Sequence, residues 1–180
     1  MLKAFLDLFF AIILLLVVSP FLLVVILLIL ILERDTPFFK QKRIGKGKRE
    51  FTVYKLRSMQ NGKITKIGRV IRATGLDELP QLFNIIKREM SFVGPRPLTE
   101  SDILRLGWNN TYYKERWSVL PGIVGLAQLA PVCHKKMSWF YDNLYLKKRS
   151  VWLDIKILLA ATVIPFVGKA IVKKWIHGEK

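Results

Sequence analysis

The sequence offers almost nothing to chemistry based on sulfur or imidazole. Its single cysteine, Cys133, excludes an internal disulfide and gives no sign of an oxidising compartment. Beside it stand only His134 and His177, too few for the usual Cys and His zinc site, so any metal here is a hard ion held by oxygen. Acidic residues are scarce as well: 13 Asp and Glu face 30 Lys and Arg, a formal net charge of +17. A soluble domain this basic reads as a nucleic-acid binder, yet 52% of the 180 residues are hydrophobic, too many for that reading alone. Anchored at a membrane, the same charge finds anionic headgroups and suits phosphate-bearing substrates. Internal repeats, low-complexity linkers and a boundary between two independent soluble domains are also missing.

What is present begins with the run from Leu8 to Leu32, "LFFAIILLLVVSPFLLVVILLILIL", which carries no charge. At about 1.5 Å per helical residue it outreaches the roughly 30 Å of a bilayer core, so it is membrane-embedded. It is too long for a cleaved signal peptide and no small-residue cleavage site follows. Lys40, Lys42, Arg43, Lys46, Lys48 and Arg49 all follow the run, which places the body of the chain in the cytoplasm. Ser19 and Pro20 sit near its middle, where a proline lacks its donor and a serine hydroxyl bonds back to the preceding turn. Two arrangements follow: a kinked spanning helix, which physics alone favours, and a re-entrant helix-break-helix that returns to the face it entered.

Further on, "TPFFKQKRIGKGKREFTVYKLRSM" reads as two strands around a Gly-Lys-Gly turn. Lys63, Lys66, Arg69 and Arg72, with Ile64, Ile67 and Ile71 at helical spacing, describe an amphipathic helix with a basic stripe, which by itself is an ordinary solvated face. Leu76, Leu79, Leu82, Phe83, Ile86 and Met90 mark a second helix with Pro80 in its first turn, so Asp77 and Glu78 are expected at its N-terminus. "MSFVGPRPL" reads as a short strand running into a loop where Pro95 and Pro97 stiffen the backbone around Arg96. Polar helical pieces and the turn-rich "LPGIVGLAQLAP" follow. The C-terminal stretch is expected to be an apolar helix to Ile164, too short to span, then a break at Pro165 and a basic amphipathic segment with Lys169, Lys173, Lys174 and Trp175. Trp108, Trp117, Trp139, Trp152 and Trp175 suit interfacial anchoring or ordinary packing.

An acidic pair at a helix start is commonly a cap favoured by the helix dipole. Here it follows a basic stripe, precedes a rigid Pro-Arg-Pro and belongs to a membrane-tied chain. Those are the parts phosphoryl transfer needs: a carboxylate nucleophile, a second carboxylate for Mg²⁺ and guanidinium groups for phosphate oxygens. A cationic setting is expected to keep Asp77 ionised.

The motifs "FFKQKRIG", "FTVYKLRSM", "LDELPQLFNIIK", "MSFVGPRPL", "PGIVGLAQ" and "DNLYLKKRSVWLDIKIL", in this order after the "SP" of the apolar run, resemble the bacterial sugar transferase family of small monotopic phosphoglycosyl transferases. The resemblance implies an α/β membrane-associated fold: a re-entrant membrane hairpin over 1–35, broken at Ser19 and Pro20, and a mostly helical cytoplasmic catalytic domain over 36–180. That domain would have a short β-hairpin and C-terminal interfacial amphipathic helices. It implies transfer of a sugar 1-phosphate from a UDP-sugar to a polyprenol phosphate, typically undecaprenyl phosphate, with release of UMP. The reaction would pass through a phospho-Asp intermediate and be the first membrane step of glycan or exopolysaccharide assembly at the cytoplasmic face of the bacterial inner membrane. Asp77 would be the nucleophile, Glu78 with Asp77 the Mg²⁺ ligands, and Arg96 the phosphate binder, helped by Lys55, Arg57, Arg69 and Arg72. Anionic lipids would be partners and nucleic acid would not. The chain departs from the family pattern in the short connection from Met59 to Lys63, at Leu126, in "LAPVCHKK" and at Lys148, and the first three lie where the donor pocket is expected. Two other readings compete: a non-catalytic membrane-tethered basic module that binds anionic lipid or nucleic acid, and a metal-dependent glycosyltransferase that would release UDP.

Overall fold

The computed structural model describes residues 2–130 and 135–167; Cys133, His134, His177 and the basic segment from Lys169 to Trp175 lie outside the described residues. The chain forms two compact units that share it in alternation. One holds the chain through Lys42 and the stretch Phe51–Arg88, the other Arg43–Glu50 and the chain from Glu89 on.

The first unit opens with helix α1, Leu2–Leu28, which widens into a π-helical turn at Ile29–Glu33 and ends where Arg34 turns left-handed. Helix α1 is continuous through Ser19 and Pro20. Pro20 has no N–H for the Leu16 carbonyl, and the Ser19 hydroxyl donates to that oxygen at 2.9 Å instead, so the missing bond is replaced locally. Strands β1, Phe38–Ile44, and β2, Glu50–Leu56, form the expected hairpin around Gly45–Lys48. A smaller hairpin follows, β3 (Met59–Gln60) with β4 (Lys63–Ile64), closed by Asn61 and Gly62 at positive φ. The sequence gives Lys63 and Ile64 to the basic helix; the Asn-Gly turn takes them into this hairpin. Helix α2 therefore begins at Lys66 and runs to Thr74, with the Thr65 hydroxyl accepting from the Gly68 N–H at 2.8 Å. Glycine at 75, with φ of 74°, ends it and starts a 3-10 helix, Leu76–Gln81, that leads into α3, Leu82–Ile86. The single amphipathic helix expected over this stretch is thus two shorter pieces: Pro80 cannot donate, and the α-helical turn is complete only beyond it.

One stripe of α1 and the π-helical turn that continues it, Leu15, Val18, Leu22, Val25, Ile26 and Ile29, packs against Leu56 of β2, Ile67 and Ile71 of α2, and Leu76 and Leu79. These positions recur at helical spacing, which makes them one face. Leu16, Val17, Phe21, Leu23 and Val24 point away and are exposed, leaving an apolar surface that suits lipid. The whole helix is long and apolar enough to cross a membrane.

In the second unit, β5 (Ser91–Val93) and β6 (Gly122–Val124) pair in parallel, Ser91 opposite Gly122 and Val93 opposite Val124. Between them run α4, Glu100–Leu106, started by a Thr99 and Asp102 capping box, and a 3-10 segment, Thr111–Ser118. Helices α5 (Leu126–Leu129), α6 (Lys135–Lys148) and α7 (Val151–Val167) complete the unit. Helix α7 continues past Pro165, so the expected break there does not occur. Val93, Leu126, Leu129, Tyr141, Tyr145, Ile157 and Ala160 form one core. Leu126 is buried in it. A second core joins Leu98 and Ile103 to Trp108 and Trp117, with Trp139 partly buried against it; Trp152 is exposed.

Because one face of α1 is protein-packed, truncation should separate the two faces. Ile29, fully buried, is expected to cost about 2–5 kcal/mol as Ile29→Ala, whereas Leu16→Ala on the open face should shift stability by less than about 1 kcal/mol. Denaturant titration of both variants in the same detergent checks this; equal losses would mean the stripe contributes no packing.

Candidate active site

Asp77 and Glu78 occupy the first turn of the 3-10 helix directly after Gly75. No side chain caps that helix, so neither carboxylate has the capping role that its sequence position allows. Asp77 is 9% exposed. Glu78 is half-buried, and Lys55 Nζ, reaching over from β2, donates to Glu78 Oε1. Arg72, in the last turn of α2, donates through Nε to Ser58 Oγ at 2.8 Å and lies against Met59 Sδ. These bonds hold its charge in the neighbourhood of Asp77.

The electrostatic balance differs from the one expected. Burial raises the Asp77 carboxyl above its usual 3.8, and the Glu78 charge adds to the rise; Lys55 and Arg72 oppose it without cancelling it. The surroundings are therefore not simply cationic. A desolvated carboxylate beside a second one is a better nucleophile than a solvated aspartate, because its charge is under-compensated.

Lys55 and Arg72 are thus brought to the acidic pair. Arg69 is exposed on the same helix as Arg72. Arg57 is used elsewhere: Nε donates to the Thr36 carbonyl at 2.8 Å, Nη2 to Thr36 Oγ1 at 2.6 Å, and Nε pairs with Asp35. It ties the segment leaving α1 to the end of β2. Arg96 belongs to the second unit, where its side chain is exposed and its carbonyl accepts a bond from Arg116. Asn84 is a residue the sequence reading passed over. Fully buried, it donates through Nδ2 to the Thr52 carbonyl at 2.6 Å and accepts from the Tyr54 N–H at 3.2 Å, fastening α3 to β2 next to Lys55. An asparagine inside an otherwise apolar helix face was the available signal. Near the same elements, Phe38, Lys40, Tyr54, Pro80, Phe83 and Lys87 line a groove of about 300 Å³.

Among the described residues there is no cluster of three or more His, Cys, Asp or Glu side chains. The adjacent carboxylates of Asp77 and Glu78 are the residues that could hold a hard divalent ion such as Mg²⁺, which keeps waters and commonly takes one or two carboxylates plus substrate phosphates. Burial is the main cause of the rise at Asp77, and the Glu78 repulsion that adds to it is what a divalent cation would relieve.

A family model described as bacterial sugar transferase matches residues 1–168. The chain is 37% identical over 139 residues to a UDP-N-acetylgalactosamine-undecaprenyl-phosphate N-acetylgalactosaminephosphotransferase of Aeromonas hydrophila, covering 67% of this chain and 33% of that protein. It is 35% identical over 148 residues to a UDP-glucose:undecaprenyl-phosphate glucose-1-phosphate transferase of Xanthomonas campestris pv. campestris, covering 70% and 31%. An uncharacterized sugar transferase of Bacillus subtilis is 40% identical over 140 residues, 67% of this chain and 65% of that protein. The matched region is thus about a third of the first two relatives' length and about two thirds of the third's.

The raised Asp77 carboxyl gives a stability test with a definite sign. Between 3.8 and its folded value the native state keeps a proton that the unfolded chain releases, so stability falls as pH rises through that window. Above it the fold carries the full cost of the buried charge. Asp77→Asn should therefore be at least as stable as the parent at pH 7.5, and any advantage should vanish as pH approaches 4. Thermal unfolding across this range checks it; a clear loss of stability at pH 7.5 would show that the carboxylate is held by net attraction.

Proposed function

Since the chain belongs to the bacterial sugar transferase family, matched over residues 1–168, we propose that it moves a sugar 1-phosphate from a UDP-sugar to a polyprenol phosphate and releases UMP. The observation that carries this reading is the buried Asp77 beside Glu78, with Lys55 on the one and the Arg72 charge near the other, in a unit that also holds the apolar α1.

In the first step an Asp77 carboxylate oxygen attacks the phosphorus that bears the sugar. A bond from Asp77 to phosphorus forms, the diphosphate bridge breaks, and UMP leaves with the bridging oxygen. In the second, an oxygen of the polyprenol phosphate attacks the same phosphorus and frees the Asp77 carboxylate. No proton need be consumed overall, so the transfer does not require a histidine. Dividing the transfer lets a water-soluble donor and a lipid acceptor use one small site in turn. Mg²⁺, held by Glu78 and Asp77 with the donor's phosphates, would neutralise charge on the leaving group. Lys55 orients Glu78, and Arg72 offsets the negative charge that gathers as the donor approaches. Arg96 is assigned to phosphate binding through its guanidinium fork.

The same reading takes α1 as re-entrant and the catalytic elements as lying at the cytoplasmic face of the inner membrane. Supporting it, the stripe from Leu15 to Ile29 is covered by elements that also carry Lys66, Arg69 and Arg72, and such charges are expensive in hydrocarbon. The basic residues after α1 favour the cytoplasmic side.

The test uses the full chain in nanodiscs with undecaprenyl phosphate, Mg²⁺ and a panel of UDP-sugars, because the relatives' names carry different sugars. UMP should appear with at least one donor, disappear on chelation, and fall by at least about 10³-fold in Asp77→Asn. Without acceptor, UMP should stop at about one equivalent per chain. UDP as product would mean transfer of the sugar alone, and no nucleotide from any donor would leave a basic membrane module.

A further inference from the structure

The second unit clamps the stretch from Val93 to Leu98 from several directions. The Tyr145 hydroxyl, with one proton to give, sits 3.1 Å from the Val93 carbonyl oxygen and 2.9 Å from Asp154 Oδ1, and Ser91 Oγ also donates to Val93 at 3.1 Å. The Gly94 N–H donates to the Val124 carbonyl at 2.9 Å, and the Pro95 carbonyl accepts from the Gly122 N–H at 3.0 Å. Close approach makes that pairing possible: a Cβ on Gly122 would lie 2.1 Å from the Gly94 nitrogen. The Arg96 carbonyl accepts from Arg116 Nη2 at 2.6 Å, the Pro97 carbonyl from Arg43 Nη1 at 3.1 Å, and the Leu98 carbonyl from the Ile44 N–H at 2.8 Å. Two prolines fix φ on either side of Arg96. Gly94, Pro95, Pro97 and Leu98 are all buried, and Arg96 alone is exposed.

Arg116 is the unusual clamp. Its side chain and that of Asp142 are each 3% exposed, with Nε 2.9 Å from Asp142 Oδ2. Its guanidinium lies 5.1 Å and 5.0 Å from the ring centroids of Trp108 and Trp117. A buried ion pair is a poor source of stability, since well-packed apolar residues do as well or better. What this pair supplies and an apolar substitute cannot is a second, directed donor: one planar fork serves Asp142 with Nε and the Arg96 main chain with Nη2.

We infer that Arg116, oriented by Asp142, is a positioning residue that holds the Arg96 main chain so that its exposed guanidinium meets the substrate phosphate from an already ordered backbone. This rests on the phosphate-binding role proposed for Arg96. Ordering the backbone before binding removes that entropy loss from the encounter, and small displacements of such a group are costly to rate.

Removing the guanidinium outright would strand the buried Asp142 and strongly destabilise the unit, so the test uses Arg116→Lys, which keeps a charge beside Asp142 and loses the two-donor geometry. Two readouts are taken on the full chain in nanodiscs. Hydrogen exchange of the peptide spanning 90–99 should speed up in Arg116→Lys while peptides of α1 and α2 are unchanged; unchanged exchange at 90–99 overturns the clamp whatever the enzyme does. UMP release should fall on the order of ten- to a hundredfold in Arg116→Lys, yet the same substitution in an Arg96→Ala background should cost nothing further. Equal cost in both backgrounds means that Arg116 acts through general stability and overturns the inference. Absence of UMP from the parent protein with every donor refutes the phosphosugar reading, and the exchange result then decides the clamp independently.

Discussion

A single packed stripe sets the terms for the first unit. Leu15, Val18, Leu22, Val25, Ile26 and Ile29 cover Leu56, Ile67, Ile71, Leu76 and Leu79, and the same helix turns an uncovered apolar face outward. An apolar helix in water would be driven to bury that outer face, and one surrounded by lipid would leave no room for α2 with its lysines and arginines. A boundary between the two media would satisfy both sides. The elements that carry Asp77, Glu78, Lys55 and Arg72 are fixed against that helix by packing within one unit.

Within that frame the backbone is kept complete where it is most exposed to loss. Pro20 deprives the Leu16 carbonyl of its partner and Ser19 restores one, so the helix crosses its own proline without an orphaned oxygen in an apolar setting. At the other end, Arg57 binds Asp35 and Thr36 and fixes how the chain leaves the membrane segment. Both devices serve the attachment of an apolar element to a polar one.

The acidic pair works against the overall charge of the chain. With +17 in total, an aspartate would be expected to titrate low, and burial with Glu78 at its side takes it the other way. Net charge describes long-range attraction of phosphates and anionic lipids, whereas basicity at one oxygen depends on its first neighbours and on water. The second unit shows a related economy: its buried polar groups, Arg116, Asp142, Tyr145 and Asp154, converge on the short stretch that carries one exposed arginine.

The pattern of residues was enough for the long apolar helix, the β1 and β2 hairpin and the strand before the Pro-Arg-Pro loop, and it singled out Asp77 and Glu78. Each depends on neighbours in sequence: apolar length, turn residues, a proline that limits where a helix begins. The sequence misled where a local competitor or distant partner intervened. An Asn-Gly turn took Lys63 and Ile64 into a hairpin, Pro80 divided one expected helix into two pieces, and α7 ran on through Pro165. Arg57, one of several basic residues that looked alike, proved to be engaged by Asp35 and Thr36, while Lys55 reached Glu78. Periodicity and composition report what a segment prefers, so they determined that this is a basic, mostly helical chain with a long apolar N-terminal helix and an adjacent acidic pair at a helix start. Which cation meets which carboxylate, how far Asp77 is removed from water, and that Asn84 and Arg116 fasten the elements around them are properties of groups many residues apart. Only the tertiary structure decided those, because hydrogen bonds and desolvation act through space and leave no period in the sequence.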